Sequence, residues 1–142
     1  MKKLLCIIIC ILTAFCFVGC KDKGEPLSDE PPLVELMARA LSDENEFAIV
    51  DEKGTVWLEN DDVTSVVIMY KRGQNRYLEL RFTKQGAKSF KQAVRKTKNE
   101  TLNIMLNGEL LACDVTANQE NPEYARVDSK YEEVIDWFNK LT

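Results

Sequence analysis

The chain has 142 residues, of which 45% are hydrophobic and 30% are charged, and its formal net charge is −4. This length suits one domain with a core of its own, and the acidic balance argues against general nucleic-acid binding. The absence of histidine excludes His-based general base catalysis and removes the commonest metal ligand.

Residues 1–19 have the order of an export signal, because two lysines precede an almost unbroken apolar run over residues 4–18. This run is shorter than the roughly 20 apolar residues that span a bilayer core, which favours a cleaved signal over a membrane helix. Residues 17–20 (FVGC) resemble the bacterial lipobox, with Phe in place of the usual Leu. The resemblance implies cleavage before Cys20 and attachment of a diacylglycerol, with acyl chains such as palmitate, to this cysteine.

Cleavage at that point leaves 123 residues, with 17 Lys and Arg against 23 Asp and Glu. The protein is then expected on the extracytoplasmic side of the cell membrane, held there by its lipid anchor, because two or more acyl chains bind a bilayer stably. Three of the five cysteines leave with the signal and Cys20 is acylated. Cys113 therefore remains as the single thiol, and no intramolecular disulfide is expected.

Residues 20–32 are predicted to be the lipidated cysteine and a flexible tether, because residues 21–32 carry charges and three prolines and almost nothing to bury. A fully extended tether would reach roughly 40 Å at about 3.3 Å per residue. Residues 33–46 are predicted to be a short helix and linker, since residues 33–41 (LVELMARAL) are rich in helix-forming residue types.

The hydrophobic period changes at Phe47, where a domain over residues 47–142 is expected to begin. Turn signals between alternating apolar segments predict three hairpins. Their strands are 47–50 with 55–58, 63–70 with 76–82, and 101–106 with 109–115. The third is joined by Asn107-Gly108, the strongest short hairpin signal. In residues 77–82 (YLELRF), polar and apolar side chains alternate, which predicts one buried face and one solvent-exposed face.

Two amphipathic helices are also predicted. The first has Thr83 as its N-cap and runs for about fifteen residues. Its buried side comprises Ala87, Phe90, Val94 and Thr97. The second begins at Asp128 or Ser129, with Ser129 and Glu132 forming a capping box. Its buried side comprises Tyr131, Val134, Ile135, Phe138 and Leu141. The predicted fold class is α+β, an antiparallel sheet of hairpins with both helices packed on one face.

Three segments follow the order of a known family. Residues 80–90 (LRFTKQGAKSF) fit a strand followed by Thr or Ser and then Gly-Ala-x-x-Phe, residues 102–108 (LNIMLNG) fit Leu-Ala-Ile-x-Leu-Asp-Gly, and a closing helix follows at 128–141. Over about eighty residues the chain thus resembles the head subdomain in the large extracytoplasmic loop of SecD, a subunit of the Sec protein translocase. Cys113 stands where that family has Pro, and residues 117–124 replace a Gly-rich stretch. The resemblance implies the fold of this subdomain and contact with other polypeptides, but not the proton-coupled activity of SecD, which requires transmembrane helices.

Few other residues are candidates for catalysis, metal binding or partner binding. Cys113 is predicted to be a small buried hydrophobe in a strand, because no candidate base accompanies it in the sequence. The acidic residues 59–62 lack the alternate-residue spacing of an EF-hand loop and are predicted to solvate a turn. Trp57 and Trp137 fall in amphipathic elements and are interpreted as core or core-edge residues.

The first predicted helix carries a basic stripe. Spacings of 4, 3, 4 and 3 residues place its members on one side of a helix. These residues are Lys84, Lys88, Lys91, Arg95 and Lys98. One interpretation is a solvated face, partly neutralised by Glu132, Glu133 and Asp136 of the last helix. The other is contact with anionic lipid headgroups or an acidic partner.

The sequence therefore predicts a membrane-anchored, non-catalytic binding or accessory module that contacts other exported or envelope proteins. No enzymatic activity, cofactor or metal site is expected. Two alternatives stay open, an envelope hydrolase using Cys113 or carboxylates, and a purely structural or immunity-type lipoprotein.

Overall fold

The computed structural model of the protein describes residues 33–98 and 100–142. The predicted signal, Cys20 and the tether lie outside these residues. The segment Pro31–Thr142 is a compact unit, and its described part contains its own hydrophobic core.

Eight strands and two helices make up this unit. In chain order they are β1 (Leu33–Arg39), β2 (Phe47–Val50), β3 (Val56–Glu59), a 3-10 turn (Asn60–Asp62), β4 (Val63–Lys71), β5 (Tyr77–Phe82), α1 (Lys84–Lys96), β6 (Leu102–Leu106), β7 (Glu109–Ala117), β8 (Ala125–Asp128) and α2 (Tyr131–Leu141). The strands form one sheet in the order β1-β4-β5-β8-β7-β6-β2-β3, and every pairing is antiparallel. The predicted α+β class with an antiparallel sheet is confirmed.

All three predicted hairpins form, and their strand ends differ from the prediction by at most two residues. The Asn107-Gly108 turn has φ angles of 53° and 79°, as a two-residue hairpin turn requires. Strand β8, the last strand in the chain, was not predicted. It lies between β5 and β7 and joins the second hairpin to the third. Its four residues are too few to show a clear alternation.

Residues 33–39 form strand β1, so the predicted short helix is wrong. The strand pairs with β4 from Leu33 opposite Lys71 to Arg39 opposite Val66, with an irregularity between Glu35 and Met37. Helix propensity is a weak preference, and here the backbone hydrogen bonds to a long strand override it. Residues 33–39 consequently belong to the sheet, and the domain begins before residue 47.

The polar side of β5 is also covered, so the prediction of a solvent-exposed face is wrong. Tyr77 is fully buried and Glu79 is only 2% exposed. A second, smaller cluster of buried residues forms here from Val67, Met69 and Tyr77. The loop between β7 and β8 supplies part of the cover, because Asn118 is buried and bonds to Glu79.

The start of α1 depends on Thr83 and Gly86. The Thr83 hydroxyl accepts a hydrogen bond from the backbone N–H of Gly86 (3.0 Å), which confirms the predicted N-cap. The backbone N–H of Thr83 in turn donates to the carbonyl of Asp62 (2.8 Å). A Cβ atom on Gly86 would lie 2.5 Å from this same carbonyl oxygen. Glycine is therefore needed for the close approach of α1 to the 3-10 turn.

The start of α2 differs from the prediction. The helix begins at Tyr131 with Lys130 as its N-cap, and no side chain caps it. The Ser129 hydroxyl bonds to Glu133 instead, so the predicted capping box is wrong. Strand β8 extends to Asp128, which moves Ser129 outside the capping position.

Both helices contribute their apolar residues to the main core. Phe90 of α1 and Val134, Phe138 and Leu141 of α2 are fully buried. Trp57 and Trp137 are partly buried against this core, which confirms their assignment. Tyr131, predicted to be buried, is 45% exposed, and the Arg76 guanidinium lies 3.8 Å from the centroid of its ring.

The close approach at Gly86 leads to a stability prediction. Gly86→Ala should gain about 1 kcal/mol in helix propensity, but the added methyl group meets backbone atoms that cannot rotate away, which costs about 1 to 3 kcal/mol or more. We expect a net loss in the free energy of unfolding, measured by urea denaturation. Gln85→Ala, at an exposed neighbouring position, should change it by less than about 0.5 kcal/mol. A Gly86→Ala protein as stable as the parent would contradict this packing.

Candidate functional site

Strand β1 is the longest exposed apolar element of the sheet. It lies at the sheet edge and pairs with β4, and no other described strand pairs with it. All seven of its residues are exposed. The large apolar ones are 37% to 42% exposed, namely Leu33, Val34, Leu36 and Met37. Such an edge presents backbone N–H and C=O groups together with apolar side chains, which is a template for pairing with another extended chain.

The two charged residues of β1 are engaged within the domain. A carboxylate oxygen of Glu35 lies 2.9 Å from Arg81 Nη2, and the Arg39 guanidinium lies 5.3 Å from the centroid of the Phe138 ring. Natural sheets commonly protect their edges with charged side chains. Here both charges are directed towards partners in the same chain, so they offer little repulsion to an incoming strand.

The other edge of the sheet differs from β1. Strand β3 has four residues, and one large hydrophobic residue, Val56, is strongly exposed at 50%. The Asn60 side chain closes this end by accepting from Phe47 N (2.8 Å) and donating to Asn45 O (2.7 Å). Because a pairing surface needs several consecutive residues, β1 is the better candidate.

A polar network connects β1 to the loop between β7 and β8. Arg81 Nε donates to Glu79 at 2.8 Å, in addition to its pair with Glu35. The other oxygen of Glu79 accepts from Asn118 Nδ2. Every charged group of this chain of contacts has a partner, as buried charges require. We therefore interpret the network as structural, fixing the loop and the edge strand relative to β5.

Tyr77 and Arg126 extend the same side of the sheet. The Arg126 guanidinium lies 3.9 Å from the centroid of the Tyr77 ring and makes two hydrogen bonds with Asp128, at 2.8 and 2.6 Å. Burial raises the pKa of the Tyr77 phenol above its usual value, so this group stays neutral. An open groove of about 650 Å³ lies beside Arg126. Because Arg126 is already bound to Asp128, the groove has no unpaired cation among its lining residues to hold an anion.

The basic stripe lies on the surface of the domain. Its five residues are exposed, and among the described residues none of them pairs with a carboxylate. No ion pair joins the stripe to α2 among these residues, where Asp136 pairs with Lys140 (2.7 Å) and Glu133 binds Ser129. Lys98 lies two residues beyond the end of α1. The stripe is therefore a patch of positive charge without ion-pair partners in the described chain.

Cys113 is exposed, so its predicted burial is wrong. The strand is irregular here, since Asp114 has a φ of 59° and the buried residues are Ala112 and Val115. Two residues thus separate the buried positions instead of one, and Cys113 turns outward. Its Sγ lies 3.7 Å from Asp114 Oδ2, a weak contact with an acceptor that cannot serve as an activating cation.

The acidic residues 59–62 have a structural role. The backbone N–H of Glu59 donates to Asp62 Oδ2 at 3.1 Å and closes the 3-10 turn, which agrees with the predicted turn. Within residues 33–98 and 100–142, no group of three or more Asp, Glu, Cys or His side chains is arranged to hold a metal ion.

Comparison with known proteins found no match, whether to a family model, to a curated protein or to a solved structure. Neither described helix is long and apolar enough to cross a membrane.

The polar network gives a second stability prediction. Asn118→Ala removes the donor to a nearly buried carboxylate oxygen of Glu79, and leaving such a group unsatisfied costs about 1 to 3 kcal/mol. We expect the free energy of unfolding to fall by this amount, which lowers the midpoint of urea denaturation. Gln119→Ala, an exposed position in the same loop, is the matched control and should leave the midpoint nearly unchanged. Equal effects of the two substitutions would show that the network contributes no stability.

Proposed function

We propose that this chain is a lipoprotein anchored through Cys20 on the extracytoplasmic side of the cell membrane. Its domain acts as a non-catalytic accessory module that binds extended segments of exported or envelope proteins. The observation that carries this proposal is strand β1, an apolar sheet edge whose outer side has no partner strand among the described residues. Strand addition at such an edge provides affinity through main-chain hydrogen bonds, which are independent of the partner's sequence.

The arrangement of β1 suits an extended and partly apolar partner. Its register with β4 puts Met37 on the same side as Ile68 and Leu33 on the same side as Lys71, so apolar residues of the edge strand point to both sides of the sheet. A guest strand could then place its alternating side chains against apolar neighbours on either side. Unfolded exported proteins present such segments before they fold.

The SecD head-like fold is the second element of the proposal, with both helices on one face of the sheet. The placement of both helices on one face is supported by the division of the buried residues into two clusters. Residues 66, 68, 78 and 80 of β4 and β5 share one cluster with Phe90 of α1 and Phe138 of α2. Val67, Met69 and Tyr77 of the same strands form the other cluster. Side chains of alternate residues point to opposite faces of a sheet, which favours one helical face and one face covered by a loop.

The tether connects directly to this edge. In the sequence, residues 21–32 precede Leu33, the first residue of β1. A domain held in this way would stay within roughly 40 Å of the lipid surface, at about 3.3 Å per residue. Polypeptides emerging at the outer side of the membrane would therefore meet the edge at a high effective concentration. The alternative of a thiol hydrolase has little support, because the polar contact that the exposed Cys113 makes within the described residues is with its acidic neighbour Asp114.

Lipidation has a direct test. Cells expressing the full chain and fed a clickable palmitate analogue should incorporate the label, and Cys20→Ala should abolish it because no other residue receives the anchor. Cys113→Ala is the matched control and should remain labelled. A labelled Cys20→Ala protein, or an unlabelled parent, would refute the anchor.

Strand addition at β1 is tested by site-specific photo-cross-linking. A photoreactive amino acid in place of Leu36 should cross-link an exported precursor that is kept unfolded, and not the same protein after it has folded. The control for apolar exposure alone is Leu110, which is more exposed at 61% and lies in β7, separated from β1 by three strands of the sheet.

Val34→Glu together with Met37→Glu should remove most of the cross-links from position 36, because the charges disfavour an apolar guest strand. Equal yields from positions 36 and 110 would contradict the proposal. Cross-linking of position 36 only to a second copy of the chain would also contradict it, since the edge would then serve self-association.

A further inference from the structure

Positive charge is concentrated in one short part of the domain. Residues 84–98 contain six Lys and Arg and no Asp or Glu. The remainder of residues 33–142 contains nine Lys and Arg against nineteen Asp and Glu, a formal charge of −10. The positive charge of the domain is therefore concentrated in residues 84–98, although its net charge is negative.

The cations of this basic segment are free to act together. Lys84, Lys88, Lys91, Arg95 and Lys98 are all exposed and lack ion-pair partners in the described chain. The remaining cation, Lys96, lies 5.5 Å from the centroid of the Trp57 ring. Four of the six basic residues, together with Gln92, line an open depression of about 470 Å³ on the helix surface. Glu123 lies beside Lys84, Lys88 and Lys91 in a smaller depression but is beyond ion-pair distance.

We infer that this basic face docks the domain on the anionic headgroups of a lipid bilayer. An open array of cations without ion-pair partners fits a diffuse sheet of negative charge, whereas recognition of one small anion would require a closed site with fixed donors. Each basic residue near an anionic membrane surface contributes roughly fivefold to binding. The acidic remainder of the domain would be repelled from the same surface, which fixes the orientation.

The inference rests on the proposed membrane anchor for the location of the domain, and it adds an orientation that a flexible tether alone does not provide. The main contacts of α1 are with β3, β5, β7 and the 3-10 turn, whereas those of α2 are with β5 and with β4, the neighbour of β1. Docking through α1 would therefore use a surface distinct from the edge strand. The edge would remain accessible to a polypeptide while the domain rests on the membrane.

The test uses the segment 21–142, which keeps the compact unit and lacks Cys20, so its outcome does not depend on lipidation. Flotation with vesicles of phosphatidylglycerol and phosphatidylcholine in equal parts should recover the protein at low salt, and vesicles of phosphatidylcholine alone should not. Binding should fall steeply between 50 and 300 mM salt, because the screening length shortens from about 14 Å to about 6 Å over this range.

The deciding comparison is between two variants of equal net charge. Lys88→Glu with Arg95→Glu should weaken partitioning into the anionic vesicles at least tenfold. Arg72→Glu with Lys130→Glu changes two exposed cations outside the helix and should weaken it by less than threefold. Circular dichroism of both variants verifies that they are folded.

Three results would overturn the inference. They are absence of binding to the anionic vesicles at low salt, equal losses in the two variants, and displacement by inorganic phosphate or polyglutamate at matched ionic strength. The last would indicate a small anion or an acidic polypeptide as the ligand. None of these results depends on the palmitate-labelling experiment, so failure of the docking surface and failure of the anchor can be told apart.

Discussion

The ion pair between Glu79 and Arg81 is the interaction on which the rest of the domain depends most. Glu79 is almost completely buried, and a carboxylate in that position is tolerated only because Arg81 and Asn118 satisfy both of its oxygens. Arg81 also holds Glu35 of the edge strand. One central strand thereby fixes an outer strand on one side and a loop on the other, and the polar side of the sheet becomes a second packed layer.

Two surfaces remain outside this packing and differ in character. The edge strand β1 offers backbone hydrogen bonds and apolar side chains, which suit an extended polypeptide of any sequence. The exposed side of α1 offers positive charge over a broad area, which suits a membrane surface. Together with the proposed lipid anchor, these two surfaces would place the domain at the membrane with its edge strand open to unfolded chains.

The sequence predicted local structure well. It predicted poorly the strand pairing and the burial that depend on segments distant in the chain. Asn107-Gly108, Thr83 and the alternation in the hairpins act over a few residues, and each produced the expected turn, cap or strand. The strand β1 could not be recognised, because its residues favour helix and its partner β4 begins more than twenty positions later. The burial of Glu79 likewise depends on Asn118, almost forty residues away. Of the candidate site, the basic stripe was visible as a spacing, whereas the apolar edge required the topology of the sheet.

The irregular pairing between Glu35 and Met37 has a consequence for the behaviour of β1 at high concentration. A bulge increases the local twist of a strand and interrupts its regular hydrogen-bonding ladder. Flat, in-register stacking of many copies, the geometry of amyloid fibrils, requires the opposite. The irregular pairing therefore makes β1 a poor seed for open-ended polymerisation, and it is compatible with the proposed binding of a single short guest strand.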